Sequence, residues 1–175
     1  EHEGGVLQYS PHNVQVAPDM KTVWVTANAG THMEHGNLWN ARVYAHGGES
    51  DEFDDVIVID APTDKIKARI SIAPKAHLAH VELTPDSKFA YATAQVEGAL
   101  YKINAESFLI ERRIQTPKGS EPHGLRISLD GKTAYIAMLA GKALGVLDTT
   151  TDTFSSIPLN GQAVQAGVTP NGKIA

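Results

Sequence analysis

Eight histidines and no cysteine stand in this 175-residue chain. Neutral imidazole is the commonest protein metal ligand, and without thiolates any metal must be held by His and carboxylate. His77-x-x-His80 and His32-x-x-His35 each put two imidazoles within reach of one centre if their loops curl. His12 and His123 each precede an aspartate, Asp19 and Asp130, by 7 positions, whereas His80 precedes Asp86 by 6. The candidate ligands are His12, His80, His123, His77, His32, His35 and His46, for copper, zinc or iron. Catalysis at such a metal would also need an open coordination position and an acid or base nearby, for which Glu34 and Glu121 are placed.

The elements that must carry these side chains come from a repeat. Pro18-Asp19-Met20-Lys21, Pro85-Asp86-Ser87-Lys88, Leu129-Asp130-Gly131-Lys132 and Pro170-Asn171-Gly172-Lys173 are copies of one turn. Asp86 to Asp130 is 44 positions and Asp130 to Asn171 is 41, a period in the range of four-stranded repeat units. A second marker keeps the beat: Val58-Ile59-Asp60, Lys102-Ile103-Asn104 and Val146-Leu147-Asp148 end alternating runs 44 positions apart. The runs between markers are four to seven residues long, β-branched and aromatic, and bounded by Gly, Asp and Pro, with no helical period. They read as antiparallel strands. A four-stranded sheet has two faces to cover, so the expected fold is all-β, a β-propeller of stacked blades.

The blades fall at about residues 11–73, 79–116 and 122–159, with a partial fourth at 164–175 that stops inside its second strand. Asp19 to Asp60 spans 41 positions where Asp86 to Asn104 and Asp130 to Asp148 span 18, so blade one carries an insertion of 23 residues at about 30–54. Long insertions in compact repeats are more often functional or disordered than neutral. In an up-and-down blade the loop entering the first strand and the loop from second to third strand lie on one face. All the histidines therefore map to that face, and none lies in the Asp-x-Lys turns opposite. His12, His80 and His123 begin the innermost strands and should ring the mouth of the central channel. The different offset of His80 would turn it to the other side of its strand, so convergence of the three requires a bulge or flexible loop ends.

Trp24-Val25-Thr26-Ala27-Asn28, Tyr91-Ala92-Thr93 and Tyr135-Ile136-Ala137, each a fixed distance after a turn, resemble the YVTN-type β-propeller repeat. The resemblance spans almost the whole chain and implies a seven-bladed ring in the periplasm or outside the cell. Its members include surface-layer and adhesion-like proteins, periplasmic binding proteins, and propeller domains of copper or haem oxidoreductases. Glu121-Pro122-His123 also resembles part of a motif supplying a copper ligand in the nitrous oxide reductase propeller, although that family's paired adjacent histidines are absent here. An incomplete ring implies either a piece of a longer protein, the preferred reading, or completion by another chain.

A net charge of −5 with no dense Lys/Arg block argues against a nucleic-acid partner, and no apolar run is long enough to span a membrane. The acidic run Glu49 to Asp55 lacks the spacing of a calcium loop and reads as a solvated acidic loop. Ser120, Glu121 and His123 have the residue types of a hydrolytic triad without an evident oxyanion hole. The leading expectation is a propeller that binds a metal or metal-bearing ligand on its histidine face, with the insertion as a lid. The competing classes are an extracytoplasmic oxidoreductase and a surface-layer or adhesion module. Metal binding should weaken as pH falls through about 6.5, where an ordinary imidazole takes up a proton.

Overall fold

A computed structural model describes residues 9–29, 53–169 and 172–175. His2, His32, His35, His46, Glu34 and most of the acidic run lie outside these residues. Twelve strands form three antiparallel sheets in simple chain order. Blade one holds β1 (Tyr9–Val16), β2 (Thr22–Ala29), β3 (Phe53–Asp60) and β4 (Lys65–Pro74). Blade two holds β5 (Leu78–Leu83), β6 (Phe89–Ala94), β7 (Ala99–Asn104) and β8 (Ile110–Gln115). Blade three holds β9 (Pro122–Ile127), β10 (Thr133–Met138), β11 (Ala143–Asp148) and β12 (Thr153–Pro158). No helix occurs among the described residues.

Both sequence markers have local causes. In each first turn the aspartate Oδ1 accepts the N–H of the lysine two residues on: Asp19 from Lys21, Asp86 from Lys88 and Asp130 from Lys132, at 3.0–3.1 Å. The residue between them adopts a left-handed backbone, with φ of 62° at Met20, 58° at Ser87, 72° at Gly131 and 68° at Gly172. The aspartate thus caps a turn that reverses the chain while lysine stays in water. Asn104 and Asp148 do the same for the turns after the third strands, accepting N–H bonds from Ser107 and Thr151 respectively. At the fourth copy Thr169 N–H bonds Ile174 O at 2.9 Å as Ser128 N–H bonds Thr133 O in blade three. No strand forms within 160–169 or 172–175, so the expected inner hairpin of a fourth blade has no ladder among the described residues. Among the described residues, blade three makes one backbone–backbone bond to this segment, Gly124 N–H to Val164 O, too little for a strand.

The core lies between blades. Trp24, Val56 and Val58 of blade one pack with Leu78, Val81, Leu83, Ala92 and Ile103 of blade two. Tyr91 and Leu100 of blade two pack with Leu125, Ile127, Ile136 and Leu147 of blade three. Trp24 and Tyr91 hold equivalent positions and are fully buried, so both serve the packing between blades. Tyr135, the third equivalent, is only half-buried on the far face of blade three.

Met20 is the exposed, non-glycine occupant of a left-handed turn position. Met20→Gly should raise the unfolding free energy by up to about 1 kcal/mol, because it removes a steric cost larger than the added chain entropy. Denaturant melts should show this gain, with no gain for Met20→Leu.

Candidate metal centre

Each innermost strand is irregular where its histidine sits. The ladder slips between Pro11 and Asn13 in β1, and between Leu78 and Val81 in β5. In β9 it slips opposite Ile136–Met138, between Pro122 and Leu125. In each case two residues oppose one: His12 and Asn13 face Thr26, Ala79 and His80 face Thr93, and His123 and Gly124 face Ala137. Such a bulge re-aims side chains. It removes the objection raised by the offset of His80, which takes the second bulge position where His12 and His123 take the first.

Four imidazoles meet. The His12 ring lies 5.3 Å from His123, 5.7 Å from His77 and 6.1 Å from His80, centroid to centroid, and His80 lies 5.3 Å from His123. Two imidazoles on one tetrahedral ion at 2.0–2.1 Å put their ring centroids roughly 5 Å apart, so the two closest separations suit shared ligation. His12 is exposed, His80 and His123 are half-buried, and His77 is buried. Inner-strand histidines of different blades are therefore side by side and reachable from solvent.

Hydrogen bonds fix their tautomers. His12 Nδ1 lies 2.8 Å from Ala79 O, and His123 Nδ1 lies 3.0 Å from Val164 O. A carbonyl only accepts, so each Nδ1 carries the proton and each Nε2 keeps its lone pair. A ligating histidine usually donates its other ring N–H to a carbonyl or carboxylate in this way. The Gln165 amide donates to His80 Nε2 at 3.1 Å, so a metal must displace that amide to use His80. The approach of this segment depends on Gly124, where a Cβ would fall 2.5 Å from Val164 O.

The supports are blade-to-blade bonds. Thr26 Oγ1 donates to Ala79 O at 2.9 Å and accepts from Asn13 N–H. Thr93 Oγ1 repeats this, donating to His123 O at 2.8 Å and accepting from His80 N–H at 2.8 Å. Asp54 accepts both Ala29 N–H and His77 N–H at 2.8 Å, which pins the two ends of the inserted segment beside His77. Sequence reasoning missed these supports, although Thr26 and Thr93 recur at one register position. Asp54 and Asp55 also depart from the solvated-loop reading: both are buried, and Asp55 accepts the Tyr9 hydroxyl.

Burial, reinforced by the nearby His123, His12 and Arg126, pushes His80 down to about 4 from the ordinary imidazole value. Burial also lowers His123, with a smaller opposite effect from its bond to Val164 and a further lowering by His12. Both shifts favour the neutral, ligating form of these two rings. Among the described residues no group of three or more His, Asp or Glu side chains is arranged to hold a metal ion. Two ready Nε2 atoms and a conditional third are what the described residues offer. The triad reading has no support, because Ser120 pairs with Thr116, Glu121 with Gln95, and His123 Nδ1 with a carbonyl. A cavity of about 420 Å³ at the opposite end of blades two and three has no histidine. Its Lys102 is bound to Asp152 at 3.0 Å and lies over Phe89, so that space is a structural seam.

Two outcomes follow. Thr93→Val should cost about 1–3 kcal/mol in urea unfolding, since a buried N–H and a carbonyl lose their hydroxyl partner. In an NMR titration His80 should protonate near pH 4. Because the unfolded chain binds that proton at about 6.5, it holds more protons than the folded chain between those values. Stability should therefore fall as pH drops through that window, less steeply in His80→Asn.

The sequence matches no family model and no curated protein. Solved structures do resemble it in fold. Hydrazine synthase of Kuenenia stuttgartiensis superposes with a TM-score of 0.72 at 21% identity, over 99% of this chain and 44% of that one. A functionally unknown protein of Desulfotomaculum acetoxidans gives 0.67 at 14% identity, over 93% and 47%. Virginiamycin B lyase of Staphylococcus aureus gives 0.63 at 16% identity, over 90% and 46%. The chain thus spans less than half the length of these structures, and the shared feature is the β-propeller fold.

Proposed function

We propose that this chain supplies histidine-bearing blades of an extracytoplasmic β-propeller that binds a transition metal, or the metal of a metal-bearing ligand, at the inner strands. His12 and His123 are the primary ligands, and His80 joins when Gln165 gives way. The observation that carries this reading is the 5.3 Å approach of His12 and His123 with both Nδ1–H groups tied to carbonyls. His32, His35 and His46, in the segment whose ends are pinned beside His77, are the candidates for completing the coordination. The extracytoplasmic placement rests on the YVTN resemblance.

An oxidoreductase at the same centre is the second reading, favoured by the coordination positions that two protein nitrogens leave open. Hydrazine synthase is an enzyme by name, and its similarity here is one of fold. Further blades or a partner chain suit the outer face of blade one, where Val16, Val23, Ile59 and Ile66 are cross-strand neighbours in one row. Val16 and Ile66 are about half exposed, at 51% and 52%.

Titration of the metal-free chain with zinc and with cobalt should give one equivalent bound at pH 7. His123→Ala should weaken binding at least tenfold while leaving the melting temperature within a few degrees. Colour with redox turnover in natively purified protein would favour the oxidoreductase. Failure of either metal to bind the unmutated chain would leave the adhesion reading.

A further inference from the structure

Gln15, Glu82 and Arg126 occupy one repeat position, each 4 residues before the turn aspartate of its blade. They line a cavity of about 360 Å³ on the inner strands, whose apolar wall includes Leu83, Ile127 and Val168. Glu82 follows His80 by two residues in β5, so the nearest lining residue on that strand lies roughly 7 Å along the backbone from His80. Glu82 is 8% exposed, and both its oxygens are engaged: Oε1 accepts Ile127 N–H and Oε2 meets Arg126 Nη1, each at 3.3 Å. The Arg126 side chain is 45% exposed. Glu82 holds one guanidinium nitrogen, and among the described residues no other ion pair engages the fork. Its charge also reaches the histidines, since it contributes to keeping His80 neutral.

We propose that this cavity is a carboxylate subsite, in which Arg126, positioned by Glu82, takes the carboxylate of a small ligand whose neutral nitrogen donor sits on the metal at His12 and His123. The proposal rests on the metal-binding reading and adds the ligand class. A planar guanidinium fork matches a carboxylate, which it can engage through two parallel bonds. Glu82 beside it sets the charge limit, because a second negative charge on the ligand would face a carboxylate already in place. Leu83, Ile127 and Val168 favour an apolar linker between the two ends.

Cobalt-loaded chain, followed by its visible absorption, tests this with imidazole and with imidazole-4-carboxylate, imidazole-4-acetate and imidazole-4-propionate. The tightest acid of the series should bind at least tenfold more tightly than imidazole. In Arg126→Gln that advantage should shrink to within twofold, and Arg126→Lys, which retains a charge for Glu82, should keep a fraction of it. The ratio of acid to imidazole cancels any change in cobalt affinity, and near-ultraviolet circular dichroism checks the fold of each variant. An advantage below twofold in the unmutated chain, or one that survives undiminished in Arg126→Gln, overturns the subsite and leaves the metal reading intact. Cobalt that fails to bind before any acid is added overturns the metal reading itself, and the subsite with it.

Discussion

One carbonyl, that of Ala79, receives two bonds from the neighbouring blade, from Thr26 Oγ1 and from His12 Nδ1. The reason is a constraint common to stacked sheets. An innermost strand is an edge strand, and its outer row of N–H and C=O groups has no strand to pair with. Left unpaired and buried, each such group costs about 1–3 kcal/mol. Blade one meets the need with side chains: Asn28 bonds both the N–H and the C=O of Leu78, Asn13 accepts Val81 N–H, and Thr26 and His12 share Ala79 O. Blade two does the same for blade three through Thr93 and Glu82. The apolar cores between blades supply the attraction, and these polar stitches set the register.

The chemistry is a consequence of that register. A bulge puts two residues where one belongs, so a histidine at either bulge position can face its counterparts on neighbouring strands. His12 and His123 then serve structure and function through opposite edges of one ring. Nδ1–H holds a backbone carbonyl, Ala79 O of the next blade for His12 and Val164 O for His123, and Nε2 offers a lone pair. Burial and neighbouring positive charge disfavour the imidazolium at His80, which favours the neutral form that metal ligation requires of that ring.

The fold was legible because the turn chemistry repeats. Asp19, Asp86 and Asp130 accept the same backbone N–H, and the period of that bond is the period of the blades. The grouping of His12, His80 and His123 was legible from topology, because strand direction alone sends them to one end. The means of convergence was not, since a bulge leaves no residue signature beyond an offset that looked like a defect in His80. Gln165 was invisible for a different reason: it reaches His80 across 85 positions, and only the close approach at Gly124 brings it there. The histidines of residues 30–52 lie outside the described residues, and their part in the site stays with the proposal.

The central claim is that the inner-strand imidazoles form a metal centre. It is tested most directly by crystals of the chain grown with zinc and measured at the zinc absorption edge. The account predicts an anomalous peak at roughly 2.0–2.1 Å from His12 Nε2 and His123 Nε2, with both Nδ1–H bonds to Ala79 and Val164 retained. A peak elsewhere on the chain, or His12 and His123 Nε2 atoms without metal at saturating zinc, would contradict it.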